Sequence, residues 1–190
     1  MRLFVAAYPP ARVRDDFAGL VRRLGVGQPR ERGHSVRLAP VVQWHVTLAF
    51  LGEVPDKKLD AARLAVDRAA KGVAPFTLRI AGGGTFGRGR FTVLWAGLRG
   101  PEQGGLTGLA KAVRRELKAA RLPYDAKPLR VHLTVARPGD RVTADELASD
   151  LALLDAYEGP DWTIDEIRLM RSHLGPRPTY DVMHAVPLAQ

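Results

Sequence analysis

Two segments of the sequence place a histidine and a threonine on the same apolar background: HVTLAF, which begins at His45, and HLTVAR, which begins at His132. In an extended strand, residues two positions apart point to the same face of the sheet. Thr47 therefore shares a face with His45, and Thr134 shares a face with His132. The chain has only five histidines, so this matched pair predicts that two imidazoles and two hydroxyls act together.

Two imidazoles and two hydroxyls that meet across a cleft suit chemistry on a phosphodiester. A neutral histidine can take a proton from water or a hydroxyl, and a protonated histidine can give one to a departing oxygen. Threonine hydroxyls can donate hydrogen bonds to the non-bridging oxygens as the phosphorus becomes pentacoordinate. The pattern therefore predicts acid–base catalysis that requires neither a metal nor a covalent nucleophile.

A metal site is the competing interpretation of the two histidines. Neither segment carries an adjacent carboxylate, no third histidine has the spacing of a ligand, and the chain contains no cysteine. Zinc and similar metals are held in proteins by sets of such groups. The sequence therefore predicts no metal site, and no cofactor is expected.

The segment GGGTFG, from Gly82 to Gly87, matches the G-x-G-x-x-G pattern of dinucleotide-binding loops. This pattern binds a dinucleotide where it follows a strand and opens a helix. A strand is predicted after these glycines, so we expect a hairpin or loop instead of a nucleotide site.

The predicted elements follow the same order twice along the chain: strand, helix, His-x-Thr strand, helix, strand. The intervals from the first strand of each half to its motif histidine are also close in length. The order favours an internal duplication, with halves of approximately 1–90 and 91–190 within a single domain of residues 1–190. Such a duplication would set the two motif strands face to face across a cleft.

The aromatic residues near these strands receive different predictions. Trp44, Phe50 and Trp95 have the strand spacing of core residues, whereas Phe4 and Tyr8 in the first strand could face either the core or the cleft.

The other three histidines have no predicted chemical role. His34 lies in a loop rich in Gly, Pro and Arg (26–40), and the role of that loop is left open. His173 and His184 fall in the last strands, where packing or surface positions are expected.

The composition limits the class of protein. With 46% hydrophobic residues the chain can bury a core, and without cysteine it can form no disulfide. No apolar run is long enough for a signal peptide or a membrane span, so a cytoplasmic protein without membrane contact is expected. The net charge of +9 permits a polyanionic partner, although a genome biased toward arginine codons would explain it equally well.

The two motifs and their flanks resemble a known family. RLFVAAYPP, HVTLAFLGEV, VLWAGL, VHLTVARP and LMRSHLGPRPTYDVMHAVPL are similar to segments of the two-histidine (2H) phosphoesterase superfamily. Within it, they look like the bacterial and archaeal RNA 2′,3′-cyclic phosphodiesterases, once called 2′-5′ RNA ligases. The similarity touches nearly the full length of the chain.

The resemblance implies a bilobal α+β fold, in which two pseudo-symmetric lobes of mainly antiparallel sheet line a central cleft and the helices lie outside. It implies metal-independent hydrolysis of RNA 2′,3′-cyclic phosphate ends to 2′-phosphates. His45 would be the proton donor to the 3′-oxygen, and His132 the proton acceptor that activates water. Thr47, Thr134 and Arg137 would bind the phosphate. The partner would be RNA or a nucleotide with such an end, and no protein partner is implied, so a monomer is expected.

Other functions use the same residues. The reverse reaction would give weak 2′-5′ RNA ligation. A 2H esterase for 2′-5′ oligonucleotides or cyclic nucleotide metabolites would need the same two histidines. A non-catalytic RNA-binding protein is the alternative from another class, but binding alone requires no acid–base pair.

Overall fold

The computed structural model of the chain describes residues 1–29, 36–139, 141–175 and 178–189. The strands in these residues are β1 (Arg2–Ala7), β2 (Arg37–Leu38), β3 (Val46–Glu53), β4 (Phe76–Phe86), β5 (Val93–Arg99), β6 (Leu133–Arg137), β7 (Trp162–Ile164), β8 (Glu166–His173) and β9 (Thr179–Pro187). The α-helices are α1 (Ala11–Val21), α2 (Leu59–Ala70), α3 (Gln103–Ala119) and α4 (Ala144–Asp155). His34 and the middle of the predicted loop lie outside the described residues.

The described strands form one antiparallel sheet. Their order is β7-β4-β5-β6-β3-β1-β8-β9, and β2 pairs with β6. Two groups of four strands therefore meet between β6 and β3, the two strands that follow the motif histidines. The predicted α+β class, with mainly antiparallel sheet in two lobes, is confirmed.

The sheet separates two apolar layers, as β1 illustrates. Leu3 and Val5 belong to the main core, which includes the buried residues of the four helices. Phe4 and Ala6 form a smaller apolar cluster with Met170 on the other face. Side chains alternate along a strand, so successive residues of β1 lie on opposite faces of the sheet. The helices pack on the face of Leu3 and Val5, and the opposite face is available for a site.

The two groups of strands combine distant parts of the chain. β8 and β9, near the end of the sequence, extend the group that contains β1 and β3, whereas β4 from the first half pairs with β5. Apart from the short strand β2, which lies in the predicted loop, the helices and strands follow the predicted order. The internal duplication itself stays a prediction.

Helix α4 begins at a capping box formed by Thr143 and Glu146. The Thr143 hydroxyl accepts a hydrogen bond from the backbone N–H of Glu146 at 3.2 Å, and the Glu146 carboxylate accepts one from the backbone N–H of Thr143 at 2.8 Å. This reciprocal pair satisfies two amide groups that a helix start leaves without partners. Among the described residues, no helix is both long and apolar enough to cross a membrane.

The segment GGGTFG, predicted as a hairpin or loop, belongs to the β4–β5 hairpin, but most of it lies in the first strand and not in the turn. Gly82 to Phe86 belong to β4, whose pairing with β5 is irregular between Ile80 and Gly83, and Gly87 follows the strand. A Cβ added to Gly84 would collide with the indole of Trp95 on the neighbouring strand β5. The glycines therefore allow a bulky ring to lie against the backbone, a packing contact that the sequence pattern does not reveal.

Candidate active site

The motif strands β3 and β6 are antiparallel neighbours that pair where Val46 lies opposite Leu133. Both of these side chains are fully buried in the main core. Because side chains alternate along a strand, the residues on either side of this pair point to the opposite face. That face carries the four polar side chains of the two motifs: His45, Thr47, His132 and Thr134.

The antiparallel register arranges these four side chains as two crossed pairs. Extended by one residue in each direction, it sets His45 opposite Thr134 and Thr47 opposite His132. The sequence suggested motif strands that face each other across a cleft, but they lie side by side in one sheet. Two antiparallel strands are related by a local twofold axis. The pairing of β3 and β6 is therefore enough to bring the two histidines and the two threonines together.

The four side chains line one cavity of about 360 Å³. Arg137, at the end of β6, lines it too, and its side chain is exposed. The remaining lining residues come from the segments around β2 and the start of β9: Arg37, Leu38, Ala39, Pro40, Gln43, Pro178 and Tyr180. The five residues selected from the sequence therefore share one opening.

Both imidazoles are oriented by a backbone carbonyl two residues earlier. Nδ1 of His45 lies 2.6 Å from the carbonyl oxygen of Gln43, and Nδ1 of His132 lies 2.6 Å from that of Arg130. A carbonyl oxygen can only accept a hydrogen bond, so Nδ1 carries the hydrogen in each ring. Nε2 is then the nitrogen left to exchange a proton with a ligand.

The surroundings lower the pKa of both histidines. Burial is the largest cause for His45, where the charge of His132 acts in the same direction. Burial is also the largest cause for His132, and the guanidinium groups of Arg137 and Arg130 lower its pKa further. The carbonyl hydrogen bonds oppose these effects only in part. At neutral pH the free site therefore holds neutral imidazoles, the form that can accept a proton.

Aromatic side chains surround His45. The ring centroid of Phe4 lies 5.0 Å from that of His45, the Tyr8 centroid lies 5.3 Å away, and the Tyr180 centroid lies 5.6 Å away in an edge-on arrangement. Phe4 of the first strand thus packs against His45 from a small apolar cluster on the same face of the sheet as the site.

A second aromatic pair adjoins His132. Phe86 meets His132 edge-on at a centroid distance of 4.9 Å and stacks on Trp95 at 5.2 Å. Trp95 is half-buried and lies 6.5 Å from His132, so its assignment to the core was wrong. Trp44, in contrast, is buried as predicted.

A sequence model of the 2′-5′ RNA ligase superfamily matches residues 10–176. The chain belongs to this superfamily. The resemblance of its two His-x-Thr segments and their flanks to the 2H phosphoesterases is thereby confirmed.

Two relatives within the superfamily carry the same name. The chain is 31% identical over 198 residues to the RNA 2′,3′-cyclic phosphodiesterase of Thermus thermophilus, and this match covers 99% of the chain and 90% of the relative. It is 32% identical over 148 residues to the RNA 2′,3′-cyclic phosphodiesterase of Geobacillus stearothermophilus, covering 76% of the chain and 45% of the relative. The chain thus matches less than half the length of the Geobacillus protein.

Solved structures of the superfamily share the fold. The crystal structure of Escherichia coli LigT complexed with 3′-AMP matches with a TM-score of 0.73 and 26% sequence identity, covering 100% of this chain and 98% of that chain. That relative binds a nucleotide on the same architecture.

Several residues at the site were missed by sequence reasoning. Gln43 and Arg130 act through their carbonyls, Phe86 touches His132, and Tyr180 reaches the cavity from β9. The carbonyl contacts have no side-chain signal, and Tyr180 is far from the motifs in the sequence. Gln43 and Arg130 each lie two residues before a motif histidine, and this shared spacing is the one local clue in the sequence to their role.

His173 and His184 lie away from the cavity. Nε2 of His173 is 2.6 Å from Asp181, and Nε2 of His184 is 2.7 Å from Asp67. Both are partly exposed on β8 and β9, in agreement with the expected packing or surface positions. In the part of the chain that the structure describes, no three His, Cys, Asp or Glu side chains are grouped to hold a metal.

Proposed function

We propose that the protein is an RNA 2′,3′-cyclic phosphodiesterase that hydrolyses cyclic phosphate ends to 2′-phosphates without a metal. The observation that carries this proposal is the pair of imidazoles, each fixed through Nδ1 and lining one cavity with both threonines. Two relatives named for this activity support the choice of substrate.

In the proposed reaction, Nε2 of His132 takes a proton from water as the water oxygen bonds to phosphorus. The bond from phosphorus to the 3′-oxygen breaks on the opposite side, and protonated His45 gives its proton to that oxygen. The product keeps its phosphate on the 2′-oxygen, and the net change is the addition of one water. His45 must be protonated for this step, and the negative charge of a bound phosphate favours that form.

The charges around the two rings support this division of roles. Arg130 and Arg137 disfavour a positive charge on His132 and so help to keep it neutral, the form in which it can accept a proton. Among the residues that the structure describes, no arginine is a cause of the lowered pKa of His45, so a bound phosphate has less positive charge to overcome there.

The remaining polar groups of the cavity would hold the phosphate. Thr47 and Thr134 can each donate a hydroxyl to a non-bridging oxygen, and Arg137 can supply a charged hydrogen bond. RNA or a nucleotide with a cyclic end is the proposed partner, bound by a monomer in the cytoplasm. Weak 2′-5′ ligation would be the same reaction run backwards.

The direct test is to incubate the protein and EDTA with a short RNA that ends in a 2′,3′-cyclic phosphate, and to identify the terminal phosphate formed. A 2′-phosphate is the expected product. A 3′-phosphate would reverse the assigned leaving group. An absence of turnover, with RNA binding that weakens as salt is added, would replace the proposal with a non-catalytic RNA-binding function.

Substitution of either motif histidine should nearly abolish this activity. His45→Ala and His132→Ala should each lower the rate by about 10²–10⁴-fold, because each removes one acid–base partner. His184→Ala is the matched control, since this histidine lies outside the cavity and pairs with Asp67. Near-normal turnover in either motif variant would remove that histidine from the mechanism.

A further inference from the structure

A second opening adjoins the catalytic cavity on the side of His132. It encloses about 560 Å³ and shares Thr47 and His132 with the catalytic cavity. We refer to it as the His132 groove, defined by these two residues together with Phe86, Arg114, Lys127 and Arg130. A ligand that fills the catalytic cavity could continue into this groove without leaving the protein surface.

The His132 groove is basic. Arg114 comes from α3, and Lys127 and Arg130 come from the segment between α3 and β6. The acidic side chain in its lining is Asp125, whose carboxylate lies 3.8 Å from Nζ of Lys127. Among the described residues, no carboxylate forms an ion pair with Arg114 or Arg130. The groove therefore keeps a net positive charge.

The side chain of Arg114 and the backbone of the segment that carries Lys127 are held in place before any ligand arrives. Arg114 donates from Nη1 to the carbonyl oxygen of Lys127 at 2.8 Å, which ties the segment to α3. The backbone N–H of Asp125 donates to the carbonyl oxygen of Phe50 at 2.8 Å, which ties it to β3. The side chain of Lys127 itself is 85% exposed. An ordered backbone that carries an exposed ammonium group, beside Asp125 at 3.8 Å, suits a phosphate better than a flexible charged loop would.

Arg130 links the groove to the catalytic imidazole. Its guanidinium lies over the ring of Phe86, 5.2 Å from the centroid, while its carbonyl oxygen accepts the hydrogen bond of His132. Phe86 also touches His132. A phosphate beside Arg130 would therefore neighbour the group that reacts at His132.

We propose that the His132 groove binds a phosphodiester of an RNA chain next to the reacting cyclic phosphate. The protein would then act on oligonucleotides in preference to cyclic mononucleotides, which carry no second phosphate. This inference rests on the proposed function. The phosphodiester has two possible sources: the substrate's own upstream chain, or a second strand whose 5′-hydroxyl end approaches on the side of His132.

Binding measurements test the groove separately from turnover. The wild-type protein and Lys127→Ala are titrated with adenosine 2′-phosphate, with a fluorescent RNA tetranucleotide that ends in a 2′-phosphate, and with the same tetranucleotide ending in free hydroxyls. The last titration is made in saturating adenosine 2′-phosphate. Lys57→Ala is the matched control, because Lys57 is also exposed and lines neither opening.

The expected result is that Lys127→Ala raises the Kd of a tetranucleotide about three- to tenfold, the effect of one lost phosphate contact. The ratio of this Kd to that of adenosine 2′-phosphate should rise by the same factor, and Lys57→Ala should leave the ratio unchanged. Weakening of the 2′-phosphorylated RNA identifies the upstream chain. Weakening of the hydroxyl-ended RNA alone identifies a second strand.

Equal Kd values for wild type and Lys127→Ala with both RNAs would overturn the groove proposal. Failure of the proposed function has a different signature, since it would abolish turnover and leave these Kd values as they are.

Discussion

His45 and His132 are held alike, each through Nδ1 by a carbonyl two residues earlier, but they are not electrostatically equivalent. His45 lies among Phe4, Tyr8 and Tyr180. His132 faces guanidinium groups that lower its pKa. The symmetric hydrogen bonds fix the same tautomer in both rings, and burial together with neighbouring charges lowers the pKa of each.

These pKa directions predict an acidic pH optimum for kcat/KM. The proton acceptor must be neutral, so activity is lost as the pH falls through its pKa. The donor must be protonated, so activity is lost as the pH rises through its pKa. Both pKa values lie below the ordinary 6.5, so both limbs of the profile for the free enzyme should fall below about 6.5. The limbs for kcat should lie at higher pH, because bound phosphate favours protonated imidazole.

Arg137→Gln tests the cause of this shift. Loss of the guanidinium should raise the pKa of His132, so the limb on the acidic side of the kcat/KM profile should move to higher pH. The position of the limb is informative even if the variant binds substrate more weakly. A limb that stays in place, or moves to lower pH, would contradict the proposed electrostatic role of Arg137.

At the scale of elements, the positions of Trp95 and Phe86 beside His132 depend on glycines in the neighbouring part of β4. Gly84 lies directly against Trp95, and Trp95 stacks on Phe86. The glycines of β4 thus affect the site indirectly, because they leave room for the rings of Trp95 and Phe86.

Gly84→Ala should therefore disturb both stability and activity. The added methyl group overlaps the indole of Trp95, and such overpacking lowers the free energy of unfolding by about 1–3 kcal/mol. Displacement of Trp95 should also reduce turnover. Urea denaturation and the cyclic phosphate assay measure the two effects.

Gly108→Ala in α3 is the control for this substitution. Nothing lies within 4 Å of a Cβ at Gly108, and alanine is favoured over glycine inside a helix by about 0.5–1 kcal/mol. This variant should be more stable and fully active. Equal behaviour of the two alanine variants would show that the contact with Trp95 does not matter.

At the scale of the whole molecule, the net charge of +9 favours association with RNA. Part of that charge adjoins the site, where Arg37 and Arg137 occupy opposed positions on β2 and β6. Arg114, Lys127 and Arg130 continue it into the His132 groove. Long-range attraction should therefore act on the encounter with substrate more than on the chemical step.

Salt should accordingly weaken kcat/KM more for RNA than for a cyclic mononucleotide. For single-stranded nucleic acid, each contacted phosphate makes the slope of log affinity against log salt concentration more negative by about 0.7. An oligonucleotide should thus have the steeper slope, while kcat stays nearly constant. Parallel slopes for the two substrates would indicate that only the cyclic phosphate is bound.

Local patterns predicted most of the elements. The apolar periodicity predicted the motif strands, and the order of the helices and longer strands was predicted correctly, whereas the short strand β2 lies in the predicted loop. The strand position of Gly84 and the contact of Trp95 with the site were both missed. Both depend on the packing of β4 against β5, which the neighbouring residues in the sequence do not indicate. The carbonyl partners of the histidines and the His132 groove were missed for a similar reason.

The sequence by itself determined which chemical groups the site contains, because His45, Thr47, His132 and Thr134 are recognisable from residue type and a spacing of two. Only the tertiary structure decided how those groups meet. The position of Val46 opposite Leu133 sets all four on one face, and a slip of one residue in either strand would turn its polar pair into the core. Strand register depends on contacts between distant parts of the chain, so a local pattern contains no information about it.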